Sequence, residues 1–172
     1  MEHPDLIEKR SFAPIAGPRT RVLILGSLPG EASLKAGQYY ANPRNQFWSL
    51  IGAVLGVQLP EPYHARLEAL QSAGIGLWDV IQSARRRGSL DSAILGHVAN
   101  PLLELVRSLP DLQIVAFNGG KAAAIGRSEL TAIDPSRLID LPSSSPAYTL
   151  GLAKKQERWL ALQPFLTPLH YP

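Results

Sequence analysis

The groups in this chain that could do chemistry are concentrated in a few short polar stretches. The first opens at Gly26-Ser27-Leu28-Pro29-Gly30 and continues through Tyr39, Tyr40, Asn42, Arg44 and Asn45. A second is Phe117-Asn118-Gly119-Gly120-Lys121, and a third is Leu141-Pro142-Ser143-Ser144-Ser145-Pro146. A basic run, Arg85-Arg86-Arg87, precedes Gly88-Ser89, and Lys154-Lys155 follows the serine-rich stretch. Tyrosine rings offer stacking faces, side-chain amides offer a donor and an acceptor together, and a tight glycine turn presents backbone N–H groups. Nucleophilic acyl chemistry is disfavoured. There is no Gly-x-Ser-x-Gly elbow, no cysteine, and the terminal His170 is a poor base candidate. The glycine-rich opening is not a phosphate loop, because Gly-Lys-Ser/Thr is missing at the required spacing.

The elements that must position these stretches alternate between strand and helix. Val22-Leu23-Ile24-Leu25 is a short apolar run stopped by Gly26, which predicts a buried strand over 21–26. A helix is predicted over about 45–56, ending at Gly56, and another over about 62–73, with Pro62 in its first turn and Gly74 just past its end. Strands follow at 75–80, 112–117 and 137–141. Helices are predicted from Asn100-Pro101 to Leu109, from Gly119-Gly120 onward, and from Leu152 to Phe165. Four strands separated by helices imply an α/β three-layer sandwich around a four-stranded parallel sheet. Ligands sit beyond the carboxyl ends of such strands, where every notable polar loop falls. Residues 1–20 are proline-rich and read as an irregular N-terminal segment, with residues 21–172 as a single domain.

Composition narrows the class. The 172 residues, 45% hydrophobic, suffice for one well-cored domain. The lack of cysteine excludes disulfides, thiolate nucleophiles and cysteine-ligated metals, and the four histidines are scattered without ligand spacing. No metal or other cofactor is expected. The charged start, MEHPDLIEKR, has no secretory character and nothing approaches a membrane span, so a cytoplasmic, monomeric protein without membrane contact is expected. A net charge of +3 and a pI near 9.4 suit a nucleic-acid partner without requiring one.

Four motifs in order carry a resemblance over roughly residues 20–165. The opening stretch from Gly26 through Pro29-Gly30 to Pro43-Arg44-Asn45-Gln46-Phe47-Trp48 resembles the uracil-DNA glycosylase superfamily, and most of all its DNA-deoxyinosine (hypoxanthine-DNA) glycosylase branch. Mismatch-specific uracil/thymine glycosylases share the spacing. Gly74-Ile75-Gly76-Leu77-Trp78-Asp79-Val80 with Gly88-Ser89-Leu90-Asp91-Ser92, the Asn118 segment and the Ser143–Ala147 segment agree with it.

What the resemblance implies is a monofunctional DNA glycosylase of base excision repair, acting on double- or single-stranded DNA containing a deaminated base. Hypoxanthine is favoured and uracil comes second. Such an enzyme extrudes the nucleotide, stacks and hydrogen-bonds the base, stabilises the leaving group and places a water behind C1′. Leu28 stands where many members carry a water-holding asparagine or aspartate. The deoxyinosine branch moves that role to an asparagine further along the loop, which implies Asn45, in the Asn-x-Phe-Trp end of the motif, over Asn42. Tyr40 would lie against the base, while Gly26, Ser27, Asn42 and Asn118 would line its pocket. Ser143, Ser144, Ser145, Lys154 and Arg86 would contact DNA.

Plainer readings compete at each position. Asn45 beside a helix start is also a natural N-cap, and Asn118 a natural turn residue. Ser143–Ser145 also reads as a solvated turn, and the arginine run as a solvated loop. Leu28 leaves open a catalytically silent nucleic-acid binder, and the carboxyl-end loops leave open a hydrolase of free nucleosides or nucleotides. Lys35 and Lys121 are the lysines that a strand-cleaving mechanism would need to recruit.

Overall fold

A computed structural model describes residues 7–168. In chain order it contains β1 (Glu8–Arg10), β2 (Val22–Gly26), α1 (Glu31–Ala36), α2 (Phe47–Leu55), α3 (Tyr63–Ala73), β3 (Ile75–Asp79), β4 (Ile81–Arg85) and β5 (Leu95–Ala99). There follow α4 (Leu102–Ser108), β6 (Ile114–Asn118), α5 (Gly120–Glu129), β7 (Leu138–Leu141) and α6 (Leu152–Trp159). His170 and the first residues of the chain lie outside the described residues.

The central sheet is four-stranded and parallel, in the order β3-β2-β6-β7. Strands β2, β3 and β6 are buried at every position, as strands covered on both faces must be. Alternation along them feeds two cores. Val22, Ile24 and Leu77 pack with Phe47, Leu50, Leu70 and Trp159 from α2, α3 and α6. Leu23, Leu25 and Phe117 pack with Leu102, Val106 and Ile125 from α4 and α5. The architecture is therefore the expected three-layer sandwich. Helix α3 stops where anticipated, with Gly74 at φ +88°, a left-handed conformation that costs glycine little.

Three features differ from the sequence reading. A small antiparallel sheet, β1-β4-β5, pairs Glu8 with Arg85 and Ile81 with Ala99, so the segment expected to be irregular carries a strand at 8–10. Ile15 also bridges to Leu77. Helix α1 forms inside the stretch read as a loop. Asn100 does not cap α4; its Nδ2 donates to Asp79 O at 2.8 Å and Ile81 O at 3.1 Å, fastening the joint between β3 and β4.

Candidate active site

The loops beyond the carboxyl ends of β2, β3, β6 and β7 enclose a cavity of about 440 Å³. Its geometry starts at Gly26, which pairs in register with Asp79 on β3. A Cβ at Gly26 would lie 2.6 Å from Asp79 Oδ1 and 2.9 Å from Tyr40 Oη, so only glycine leaves those groups where they are. The next residue, Ser27, donates its hydroxyl to Asp91 Oδ1 at 2.6 Å. Leu28 is buried and contributes to the core beneath the cavity.

Tyr40 is held in a left-handed conformation (φ 54°), a strained arrangement for a residue with a side chain, and lines the cavity. Phe47, the first residue of α2, covers one face of its ring at a centroid distance of 3.9 Å and an interplanar angle of 16°. The Tyr40 hydroxyl accepts from Asn118 Nδ2 at 3.2 Å. Burial, reinforced by the charge of Asp79, pushes its titration well above the ordinary phenol range. Tyr39 turns inward and donates its hydroxyl to Ala13 O at 2.8 Å.

Asn42 and Asn45 both line the cavity, and both also serve the local backbone. Asn42 Oδ1 accepts from the Arg44 N–H, and Asn45 Oδ1 accepts from the Phe47 N–H, each at 2.9 Å. The second contact fixes the Asn45 carbonyl at the start of α2. An sp² oxygen keeps a second lone pair after accepting once, so this contact does not exhaust it.

Asn118 and Ser144 form a closed pair. The Ser144 N–H donates to Asn118 Oδ1 and Asn118 Nδ2 donates to Ser144 Oγ, both at 2.9 Å. With its amide hydrogens on Ser144 and Tyr40, Asn118 holds the 143–148 loop in place as a turn residue does, and it also lines the cavity. Ser144 is 1% exposed, which corrects its assignment as a DNA contact. Ser143 and Ser145 are partly exposed, and their hydroxyls accept from the N–H groups of Ser145 and Ala147.

Arg86 is corrected more sharply. Read from sequence as a candidate phosphate contact, it is fully buried. It follows β4, and from Arg85 onward burial alternates, so that Arg86 lies inward while Arg85 and Arg87 are exposed. Its Nε donates to Gly88 O at 3.0 Å and its Nη2 makes a short hydrogen bond to Pro29 O, joining the loops that follow β4 and β2. Lys154 is exposed on α6, as a DNA contact requires. Its neighbour Lys155 is buried, with Nζ donating to Gln46 Oε1 at 2.9 Å and to Ser145 O at 3.3 Å. That amine staples the serine loop to the start of α2, and burial pulls its titration below the ordinary lysine range. Among the described residues no lysine lines the cavity, Lys35 and Lys121 included.

The residue that sequence reasoning passed over is Asp79. It is 4% exposed, lines the cavity, and its Oδ2 has no hydrogen-bond partner among the described residues. Burial raises its titration first and the nearby Asp91 carboxylate raises it further, against the opposing pull of Arg86, to about 7. A carboxylate closing an otherwise apolar strand was the available signal, since Ile75 to Trp78 are all core and Asp79 is not apolar.

A cavity beyond the carboxyl ends of a parallel sheet, walled by a strained tyrosine, three amides and a serine loop, marks a ligand site of an α/β enzyme. A model of the family described as the Uracil DNA glycosylase superfamily matches residues 14–164, and the chain belongs to that superfamily. A protein named hypoxanthine DNA glycosylase from Methanosarcina barkeri is 42% identical over 156 residues, 89% of this chain and 96% of its own length. A protein of the same name from Methanosarcina acetivorans is 38% identical over 157 residues, covering 90% and 97%. The solution NMR structure of a proposed uracil DNA glycosylase from Methanosarcina acetivorans superposes with a TM-score of 0.80 at 35% identity, covering 91% of this chain and 97% of that one. No helix among the described residues is long and apolar enough to cross a membrane.

Proposed function

We propose that this protein is a monofunctional DNA glycosylase that hydrolyses the N-glycosidic bond of deaminated nucleotides, hypoxanthine of deoxyinosine first and uracil second. The observation that carries this reading is the meeting of Tyr40, Asn45 and the Ser143–Ser145 loop around one cavity of about 440 Å³. That space suits a single nucleoside withdrawn from a helix, not a stacked duplex. The names of the two relatives that match nearly end to end point to the same substrate class.

In this reading the extruded base stacks on the ring of Tyr40, whose back rests on Phe47. Such stacking contributes ~1–3 kcal/mol per base. The Gly26–Gly30 backbone and Ser27 line the pocket, and the backbone N–H groups of that turn stabilise charge on the leaving base. The Asn45 carbonyl orients the water that attacks C1′. Ser143, Ser145 and Lys154 meet the phosphates flanking the extruded nucleotide. Water serves as the nucleophile, leaving an abasic strand intact. The protein acts as a monomer in the cytoplasm.

Duplexes carrying a single deoxyinosine, deoxyuridine, deoxyxanthosine or mismatched thymine test the substrate class. Free hypoxanthine is expected to be released fastest and uracil next, measured by chromatography of the released base. Release of bases from free nucleosides with none from duplexes would replace this reading with a nucleoside hydrolase.

A further inference from the structure

We infer that Asp79 is a catalytic residue of this cavity, a carboxylic acid that hydrogen-bonds the extruded base and gives a 6-oxopurine the proton with which it departs. The inference deepens the glycosylase reading and rests on it.

The geometry is specific. Asp79 ends β3 beside Gly26, and its carboxyl and the Tyr40 hydroxyl converge on the space that a Gly26 side chain would fill. Its main chain is held from behind, where Asp79 O accepts from Asn100 Nδ2 at 2.8 Å. Buried polar atoms nearly always have a partner. Only two buried side-chain polar atoms among the described residues lack one, Asp79 Oδ2 and Arg86 Nη1. Of these two residues, Asp79 lines the cavity. Oδ2 is closed to solvent, so in this inference the carboxyl turns toward a base seated beside Gly26 and gains its partner there.

The surroundings fix the protonation state. Asp91 faces Asp79 from the turn after β4, Arg86 from the loop preceding that turn, and Tyr39 and Tyr40 from the loop leading to α2. Burial and Asp91 outweigh Arg86 and place the carboxyl near pH 7, so acid and carboxylate coexist at neutral pH. That is the condition under which a general acid works best.

The step balances as a hydrolysis. The C1′–N9 bond breaks and its electron pair stays on the purine, while the carboxyl proton moves to N7. Water adds to C1′ and releases a proton to solvent, from which the Asp79 carboxylate is reprotonated. A pyrimidine joined through N1 has no equivalent basic ring nitrogen and leaves as an anion, so Asp79 matters less for uracil.

Single-turnover excision from matched duplexes containing deoxyinosine or deoxyuridine, followed from about pH 5.5 to about 9, tests the assignment. For the unaltered protein, deoxyinosine excision should fall as pH rises through about 7, because the acid form is lost. Asp79→Asn should slow deoxyinosine excision on the order of 10²-fold, remove that falling limb, and change deoxyuridine excision by no more than about threefold. The amide carries no charge to bury, so at about pH 8 the variant should unfold no more easily than the parent.

A variant that excises deoxyinosine within about threefold of the parent overturns the inference. Equal losses on both bases with an unchanged pH profile, or a parent profile with no limb near neutrality, also overturn it. A parent that releases neither base would instead retire the glycosylase reading, and the role of Asp79 with it.

Discussion

Asn45→Ala is expected to slow single-turnover hypoxanthine excision on the order of 10²-fold or more, and Asn42→Ala far less. Both side chains reach the cavity and both accept a backbone N–H at 2.9 Å, so proximity does not separate them. The difference lies in what the contact fixes. Asn45 is anchored to Phe47, the residue against which Tyr40 stacks, so its carbonyl is tied to the ring on which the base is proposed to lie. Asn42 is anchored to Arg44 in an exposed turn. An amide takes no proton near neutral pH, so the role is to orient water, and the loss should appear in the chemical step. The same truncation removes the acceptor of the Phe47 N–H at the entry to α2, at about 1 kcal/mol of stability. Asn45→Ser separates the effects: a serine hydroxyl accepts the same N–H, yet is too short to hold the water. It should fold like the parent and excise poorly. Near-parental excision by folded Asn45→Ala would remove Asn45 from the mechanism.

Arg86→Ala is expected to cost about 3 kcal/mol or more of stability, read by denaturant unfolding. The truncation empties a fully buried site and takes the donor from Gly88 O and Pro29 O. It also removes a cation that faces Asp91, Glu31 and Asp79, of which Glu31 keeps Lys9 at 3.5 Å. Lys154→Ala should do the reverse. The fold should be unaffected, while the slope of log affinity for duplex DNA against log salt falls by about one. If Arg86→Ala unfolds like the parent and alters the salt slope instead, Arg86 belongs at the DNA surface after all.

Three strands of the parallel sheet were readable because they are short apolar runs with abrupt ends, at Gly26, Asp79 and Asn118, and the fourth, Leu138–Leu141, is closed by Pro142. The small antiparallel sheet was not. Glu8–Arg10 is a charged tripeptide and β5 is exposed along most of its length, so neither carries a burial pattern. Their pairing depends on β4, which for β1 lies more than 70 residues away. In the site, the opening motif pointed to Gly26, Ser27, Tyr40, Asn42 and Asn45, which the fold does gather around one cavity. Identical neighbours misled where burial decides the role. Arg86 and Arg87 differ only in which side of an extended chain they fall on, and so do Lys154 and Lys155 on successive positions of a helix. The Asn118–Ser144 clasp joins residues 26 apart and exists only once β6 and the loop after β7 are adjacent.

The most direct test is a deoxyinosine duplex, end-labelled on the damaged strand, incubated with the protein and divided in two. One half is resolved as it stands and the other after hot alkali, which breaks abasic sites. The account predicts free hypoxanthine in the supernatant, an intact strand in the untreated half and a single break at the lesion after alkali. An unbroken strand in both halves, with no base released, would contradict the glycosylase reading. A break in the untreated half, with a covalent complex trapped by borohydride, would contradict a water nucleophile and bring Lys35 or Lys121 into the mechanism.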